Sequence, residues 1–204
     1  FWLAWLELYG QLSRMDIFGV VLDRDGTLIE HVPYLSDPAQ VALLPGVLDG
    51  LIRLRNAGVK LFLHSNQSGV GRGMFTEEAV EHCNQRMLEL IGMGETLFER
   101  ICIAPEHPDT PAIYRKPSPK FAHELILEFG VSAQELCYIG DRASDLATAV
   151  AAGTRSDART DASENHKKLR GGAEDSQTIL KEGNEQTRTK TNEHFDEVLS
   201  QVKQ

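Results

Sequence analysis

The sequence predicts an α/β fold in which a parallel sheet carries helices on both faces and forms three layers. Four short runs of apolar residues have the length of buried strands. Segments with helical spacing of apolar residues lie between these runs. Strands that alternate with helices form a parallel sheet, because each connection crosses back over the sheet. Over 204 residues, 41% apolar and 25% charged residues are ordinary for a domain with its own core.

Each element is predicted from a local signal. The four predicted strands are Ile17–Leu22, Val59–Asn66, Arg100–Pro105 and Leu136–Asp141. The predicted helices are Leu44–Gly58, Thr76–Gly92, Ser118–Gly130 and Ser144–Gly153. Pro45 and Gly58 are typical of the start and the end of a helix. Thr76 is a good N-cap, because two glutamates follow it in the first turn.

We expect one domain over residues 15–153, flanked by two segments of different character. Residues 1–14 are rich in aromatic residues and have no features of a signal peptide. We interpret them as an extension outside the domain, with Met15 as the natural start; the alternative is an amphipathic helix packed on the domain. Residues 154–204 contain few large apolar residues, and no fifth buried strand is visible there. We expect a polar, poorly packed segment, in which His194–Val202 has the pattern of a short terminal helix.

The charge balance limits the classes of partner. A net charge of −9 argues against binding to nucleic acid or an anionic membrane, since both require a basic face. The apolar stretch near the start is too short to span a bilayer. Of the three cysteines, Cys102 and Cys137 lie in strand-like runs and are expected in the core. An odd number of widely spaced cysteines fits a reducing compartment, so we expect a cytoplasmic location.

The polar residues that suggest chemistry follow the ends of predicted strands. They are Asp23, Asp25, Gly26 and Thr27 after the first strand, Ser65 in the second, Lys116 in a later loop, and Asp141 and Asp145 after the fourth. The carboxyl ends of parallel strands lie along one edge of the sheet, so these side chains should converge. Converging carboxylates repel one another unless a hard divalent cation such as Mg²⁺ binds between them. Lys116 and Ser65 would then hold the oxygens of a substrate phosphate that the cation neutralises.

This constellation resembles the haloacid dehalogenase superfamily of phosphohydrolases. Its motifs are present in order over residues 15–153: Asp23 to Thr27 as D-x-D-G-T, Ser65, Lys116, and the acidic pair Asp141 and Asp145. The stretches LDRDGTL, LPGV, SNQSGVGRGMFTE, RKPSP and GDRASD are similar to the branch that acts on heptose bisphosphate and histidinol phosphate. The resemblance implies a Rossmann-like fold. No large cap domain is expected, because one loop and one helix fill the stretch from Asp23 to Ser65.

The resemblance also implies residue roles. Asp23 would be the nucleophile that forms an aspartyl-phosphate, and Asp25 would be the general acid and base. Mg²⁺ would be bound by the Asp23 side chain, the Asp25 backbone carbonyl and Asp141. The phosphoryl group would be bound by Ser65, Asn66 and Lys116. The rest of the substrate would meet His31, Tyr34, Gln67, Arg115 and Arg142, and the supporting residues would be Thr27 and Asp145.

One loop departs from the pattern of that branch, whose members carry a zinc-binding loop. The four zinc-ligand positions fall on Ala104, Glu106, Ala112 and Tyr114. These residues are not a tetrahedral zinc set, so we predict no structural zinc. Three prolines are expected to stiffen the loop instead, at positions 105, 108 and 111. Because this loop would border the site, the choice of substrate stays open.

The favoured function is therefore a Mg²⁺-dependent phosphatase of carbohydrate metabolism, which acts as a monomer on a small, heptose bisphosphate-like sugar phosphate. Histidinol phosphate or another small phosphate ester is an alternative substrate. A catalytically inactive, phosphate-binding relative is an alternative class, although such a protein would not need Asp25. A nucleic-acid end phosphatase is disfavoured by the net charge of −9.

Single residues of this set also have purely structural interpretations. Asp23 and Asp25 could be turn acids, and Asp145 could be an acid in the first turn of a helix. His64 is expected to be a packed core histidine.

Overall fold

The sheet of this protein has five parallel strands in the order β3-β2-β1-β4-β5. A computed structural model describes residues 17–94 and 96–158. The strands are β1 Gly19–Leu22, β2 Lys60–Asn66, β3 Arg100–Ala104, β4 Leu136–Gly140 and β5 Arg155–Ala158. The predicted α/β class and the parallel sheet are confirmed. The predictions for residues 1–14, and for the chain after position 158, lie outside the described residues.

Five α-helices connect the strands within the described part of the chain. They are α1 Val47–Asn56, α2 Ser68–Gly71, α3 Glu77–Ile91, α4 Lys120–Phe129 and α5 Ala143–Ala152, with 3₁₀ turns at Pro38–Gln40 and Ala133–Glu135. The predicted N-cap of α3 is confirmed, because the Thr76 hydroxyl accepts a hydrogen bond from the Ala79 N–H at 3.2 Å. No described helix is long and apolar enough to cross a membrane.

The core lies on both faces of the sheet. Along β1, Val20 and Leu22 pack with apolar residues of α1 and α3, whereas Val21 packs with residues of α4 and α5. This division follows from the geometry of a strand, in which successive side chains point to opposite faces. β1 is buried on both faces and has no polar side chain. Its neighbours on either side are β2 and β4, so the residues that follow β1 lie at the centre of the sheet edge.

The expectation of only four strands was wrong for Arg155–Ala158. This stretch forms β5 and pairs with β4 in parallel register, from Cys137 opposite Arg155 to Gly140 opposite Ala158. β5 lies at the edge of the sheet, where a strand needs backbone pairing on one side only. An edge strand can therefore be short and polar. β5, with the sequence RSDA, lacks the apolar run that predicts a buried strand, whereas β3 at the other edge has one.

The sheet order also creates the crevice that the sequence predicts. From β1 the chain proceeds to β2 and β3 on one side, and it then returns to β4 on the other side of β1. The order of strands therefore reverses between β1 and β4, and ligands of open α/β sheets bind at the carboxyl ends of strands at such a point. The Asp23 N–H donates to the Ile139 carbonyl at 2.9 Å, which fixes the start of the loop after β1 beside the end of β4.

Candidate active site

A buried lysine joins the two sides of this crevice. Lys116 Nζ donates to Asp23 Oδ1 at 2.8 Å and to Asp145 Oδ1 at 2.5 Å. All three side chains are buried. Burial lowers the pKa of Lys116, but the carboxylates of Asp23 and Asp145 outweigh burial and raise it. Lys116 is therefore a fixed cation that touches the predicted nucleophile.

Three of the predicted carboxylates meet in one place. Asp23, Asp141 and Asp145 each present an oxygen, and these oxygens lie within 4.8 Å of one another. Asp141 Oδ1 is buried and has no hydrogen-bond partner among the described residues. Burial, with a further contribution from the charge of Asp23, raises the pKa of Asp141 to about 7. An unpartnered oxygen beside other hard oxygen donors fits Mg²⁺.

Two glycines make room for these carboxylates. Gly26 has φ +84°, and a Cβ built there would lie 2.3 Å from Asp141 Oδ2. At Gly140, a Cβ would lie 2.3 Å from Asp145 Oδ2. The first contact explains why glycine follows Asp25 in the motif, since a larger residue would displace Asp141. Thr27, the next residue, has a buried hydroxyl oxygen without a hydrogen-bond partner among the described residues.

Asp25 has a different set of partners from Asp23. Gln67 Nε2 donates to Asp25 Oδ2 at 2.8 Å and to Ser65 Oγ at 2.8 Å. The Ser65 hydroxyl lies 3.4 Å from the same Asp25 oxygen. The structure thus brings Ser65 into the site as predicted. It places Gln67, predicted to meet the rest of the substrate, against Asp25 instead.

Arg24 is a site residue that sequence reasoning missed. Its Nε and Nη2 donate to the two oxygens of Asp25 at 3.1 and 3.2 Å, and its Nη1 donates to Asn84 Oδ1 at 2.8 Å. The side chain is fully buried. The available signal was electrostatic: a residue between two carboxylates at the end of a buried strand can relieve their repulsion if it is a cation.

Asn66 contacts the backbone of Lys116 with both ends of its amide. Its Nδ2 donates to the Lys116 carbonyl at 3.1 Å, and the Lys116 N–H donates to its Oδ1 at 2.8 Å. The amide predicted to bind phosphate is therefore occupied by the loop in this structure. Asn66 lies at the end of β2, so this pair of bonds attaches the lysine loop to the sheet.

The remaining predicted substrate residues lie farther out. The imidazole of His31 is 3.2 Å from Arg142 Nη2, and both side chains are exposed. The Arg142 backbone N–H donates to Asp145 Oδ2 at 3.0 Å, so this pair lies next to the carboxylates. Tyr34 is 49% exposed, with φ +54°. Arg115 donates from Nη2 to the Pro108 carbonyl at 2.9 Å within the loop between β3 and α4.

His64 has the packed position that the sequence predicts for it. It is fully buried, with Nδ1 3.1 Å from the Tyr138 hydroxyl and Nε2 2.9 Å from the Tyr114 carbonyl. Burial, followed by the positive charge of Lys116, lowers its pKa to about 4. His64 is therefore a neutral imidazole at neutral pH. Cys102 and Cys137 are also buried, as expected.

This geometry separates two chemical tasks. Asp23 is held by a cation next to two further carboxylates, which suits a nucleophile beside a metal-binding site. Asp25 lies outside that carboxylate group and is held by Arg24, Gln67 and Ser65, which suits an acid or base that meets a leaving group. The side chains suited to these two tasks, and the carboxylates that could hold a cation, lie on one edge of the sheet.

Comparison with known proteins points to the same chemistry. The family of haloacid dehalogenase-like hydrolases matches residues 37–153. The D-glycero-beta-D-manno-heptose-1,7-bisphosphate 7-phosphatase of Mesorhizobium japonicum is 30% identical over 160 residues, which cover 74% of this chain and 73% of the relative. The crystal structure of D,D-heptose 1,7-bisphosphate phosphatase from B. bronchiseptica, complexed with magnesium and phosphate, has a TM-score of 0.63 at 25% identity and covers 78% of this chain and 89% of its own.

A second kind of relative is a longer protein. The histidine biosynthesis bifunctional protein of Legionella pneumophila (strain Lens) is 34% identical over 127 residues, which are 61% of this chain. The matched part spans 36% of that protein, so the chain corresponds to about a third of its length. The two kinds of relative differ in name, since one is named for a heptose bisphosphate phosphatase activity and the other for histidine biosynthesis.

Proposed function

We propose that this chain, which belongs to the haloacid dehalogenase-like hydrolases, is a Mg²⁺-dependent phosphatase that hydrolyses a small, heptose bisphosphate-like sugar phosphate through an aspartyl-phosphate at Asp23. The observation that carries the proposal is the contrast between the two acids after β1. Lys116 holds Asp23, whereas Arg24 holds Asp25 by two hydrogen bonds. A protein that only binds phosphate would not need the second acid.

The proposed reaction has two steps. In the first, a carboxylate oxygen of Asp23 attacks phosphorus, the bond to the sugar oxygen breaks, and Asp25 donates a proton to that oxygen. In the second, Asp25 takes a proton from water, whose oxygen attacks phosphorus and displaces Asp23. The products are the dephosphorylated sugar and inorganic phosphate. Lys116 and Ser65 would bind the oxygens of the phosphoryl group during both steps.

The carboxylates of Asp23 and Asp141 and the backbone carbonyl of Asp25 would hold Mg²⁺. Bound there, the cation would neutralise the charge on the substrate phosphate. Asp145 contacts Lys116 instead, so its proposed role is to hold the lysine that contacts Asp23. This division leaves the unpartnered Asp141 oxygen as the donor most open to a cation.

A bisphosphate is favoured over an amine-bearing substrate by the side chains next to the carboxylates. Arg142, paired with His31, presents positive charge there. A second phosphate would be attracted to this pair, whereas the ammonium group of histidinol phosphate would be repelled. Histidinol phosphate remains the second candidate, because one relative belongs by name to histidine biosynthesis.

The test is phosphate release from p-nitrophenyl phosphate, heptose 1,7-bisphosphate and histidinol phosphate, with Mg²⁺ and with EDTA. We expect release with Mg²⁺ only, fastest from the heptose. Asp23→Asn should lower kcat by about 1,000-fold or more, because the amide is a poor nucleophile. Asp49→Asn changes an exposed carboxylate of α1 and is the matched control, with activity equal to the wild type. No release by the folded wild-type protein would favour the phosphate-binding class instead.

A further inference from the structure

The backbone of Tyr114, two residues before Lys116, is held on both sides of its Cα. Its N–H donates to Glu106 Oε1 at 2.6 Å, and its carbonyl oxygen lies 2.9 Å from His64 Nε2. We propose that Glu106 and His64 are positioning residues, which fix the backbone of Tyr114 and thereby direct the ammonium group of Lys116 toward Asp23. The inference deepens the proposed function and rests on it, because the role of Lys116 is expressed in phosphoryl transfer.

The hydrogen-bond partners of His64 define its tautomer. A carbonyl oxygen can only accept, so His64 Nε2 must carry the hydrogen that it shares with Tyr114. Nδ1 is then the acceptor, and the Tyr138 hydroxyl at 3.1 Å is its donor. Tyr138 belongs to β4 and His64 to β2, so both are part of the sheet. The carbonyl of Tyr114 is thus bound to a side chain of the central sheet.

Glu106 holds the other end as a carboxylate. Burial raises its pKa, but backbone N–H groups of the loop, that of Tyr114 first, outweigh burial and lower the pKa. A hydrogen bond from an N–H to a charged carboxylate is stronger than one to a neutral oxygen. Glu106 lies just after β3, so the N–H of Tyr114 is bound near a third strand.

These contacts matter because lysine has a long, flexible side chain. The Lys116 ammonium group can be directed only if its backbone is fixed, since four rotatable bonds separate the two. Asn66 binds the Lys116 N–H and carbonyl. Glu106 and His64, together called the Tyr114 clamp, bind the chain two residues earlier. Catalytic groups need placement to within about 0.5 Å. Loss of one of these attachments should therefore displace the Lys116 ammonium group from Asp23.

The ring of Tyr114 has separate contacts, which provide a control. Its hydroxyl donates to Glu124 Oε1 at 2.8 Å, and Lys120 Nζ lies 4.2 Å from the ring centroid. Glu124, like Glu106, is a half-buried glutamate that accepts a hydrogen bond from Tyr114. Glu124→Ala therefore removes the bond from the ring hydroxyl, together with the 3.9 Å ion pair between Arg100 and Glu124, and leaves the backbone bonds of Tyr114 untouched.

The experiment compares Glu106→Ala, Glu106→Gln and Glu124→Ala in the full chain. We measure kcat/KM for the best phosphate ester and the amide hydrogen exchange of Tyr114 and Lys116. Glu106→Ala should lower kcat/KM about 10-fold or more and accelerate exchange at both amides. Glu106→Gln keeps an acceptor oxygen and should stay within about threefold of the wild type, as should Glu124→Ala.

The outcomes are separable from those of the proposed function. If the wild-type protein hydrolyses no phosphate ester, the proposed function fails. The amide hydrogen exchange of Lys116 in Glu106→Ala still tests whether the Tyr114 clamp fixes the backbone. The clamp is overturned if folded Glu106→Ala keeps wild-type exchange at Tyr114 and Lys116. It is also overturned if Glu124→Ala causes the same loss of kcat/KM, because the effect would then be general to the loop.

Discussion

At the scale of single residues, two carboxylates that lie close together in the site are each paired with a cation. Asp23 and Asp25 are separated by one residue, and each has its own buried cation, Lys116 and Arg24 respectively. A buried cation is costly unless it is paired and hydrogen-bonded, and both cations are. The pairing keeps the two acids in separate environments, which lets them perform different steps.

The close contact between Gly26 and Asp141 leads to a prediction for Gly26→Ala. The new Cβ would overlap the Asp141 carboxylate, whose oxygen lies 2.3 Å from that position. Asp141 can turn away, so the fold should persist while the carboxylate leaves the cation site. We expect Mg²⁺ affinity and kcat/KM to fall about 100-fold, measured by isothermal titration and phosphate release.

Gly58→Ala is the matched control for that experiment. Gly58 has φ +75°, close to the +84° of Gly26, and a Cβ there would meet nothing within 4 Å. Both variants therefore bear the same backbone strain, about 1 kcal/mol of unfolding free energy. Only Gly26→Ala should weaken Mg²⁺ binding. Equal Mg²⁺ affinity in the two variants would contradict the assignment of Asp141 as a cation donor.

At the scale of elements, local signals predicted four strands and four of the five described α-helices, whereas the short helix α2 was not predicted. The strands β1 to β4 agree with their predicted bounds to within two residues, because each is an apolar run. Thr76 caps α3 as its sequence context predicts. β5 was missed because an edge strand is stabilised by pairing with β4 and carries no periodic apolar signal of its own.

Elements also explain which site residues the sequence could predict. The end of a strand is visible in the sequence, so the convergence of Asp23, Ser65 and Asp141 could be expected. The partners of Arg24 could not, because Asn84 lies 60 residues away on α3. The same holds for Glu106, whose bond to Tyr114 depends on how the loop after β3 folds back. Such contacts require tertiary structure.

Helix α3 contacts the site through Asn84, and we predict the effect of Asn84→Ala. The variant leaves Arg24 Nη1 buried without its acceptor at 2.8 Å, which should cost about 1–3 kcal/mol of unfolding free energy. Arg24 would then hold Asp25 less firmly. If Asp25 acts in the chemical steps as proposed, kcat should fall about 10-fold while KM changes little.

Steady-state kinetics and urea unfolding test this effect of Asn84. Gln85→Ala, at an exposed neighbouring position of α3, is the control and should leave kcat and stability unchanged. A rise in KM with unchanged kcat would contradict the assignment, because it would place Arg24 and Asn84 in substrate binding. An unchanged kcat with lower stability would limit the pair to a structural role.

At the scale of the whole molecule, the site carries an excess of negative charge. Four carboxylates, Asp23, Asp25, Asp141 and Asp145, face only two buried cations, Lys116 and Arg24. The excess of negative charge is largest when Asp141, whose pKa burial raises to about 7, is ionised. The net charge of the chain is −9, which adds to the repulsion. A divalent cation would neutralise this local excess, so Mg²⁺ should stabilise the folded protein.

We therefore predict that Mg²⁺ raises the free energy of unfolding without any substrate. Binding to the folded state alone contributes about 2.7 kcal/mol at 100 times Kd. Asp141→Asn should be more stable than the wild type without Mg²⁺, because it removes the charge of a half-buried carboxylate whose Oδ1 has no hydrogen-bond partner among the described residues. It should gain little when Mg²⁺ is added. Asp49→Asn, exposed on α1, should respond as the wild type does.

Urea unfolding with MgCl₂, and with NaCl at equal ionic strength, distinguishes binding from screening. Screening acts on all surface charges of an acidic protein, so it would stabilise the wild type and Asp141→Asn alike. Specific binding would stabilise the wild type and Asp49→Asn only. Equal gains from the two salts would remove the case for a cation at Asp141, even if the protein hydrolysed phosphate esters. A gain in the free energy of unfolding that occurs only with MgCl₂, and is lost in Asp141→Asn, would mean that a cation bound at Asp141 stabilises the whole fold.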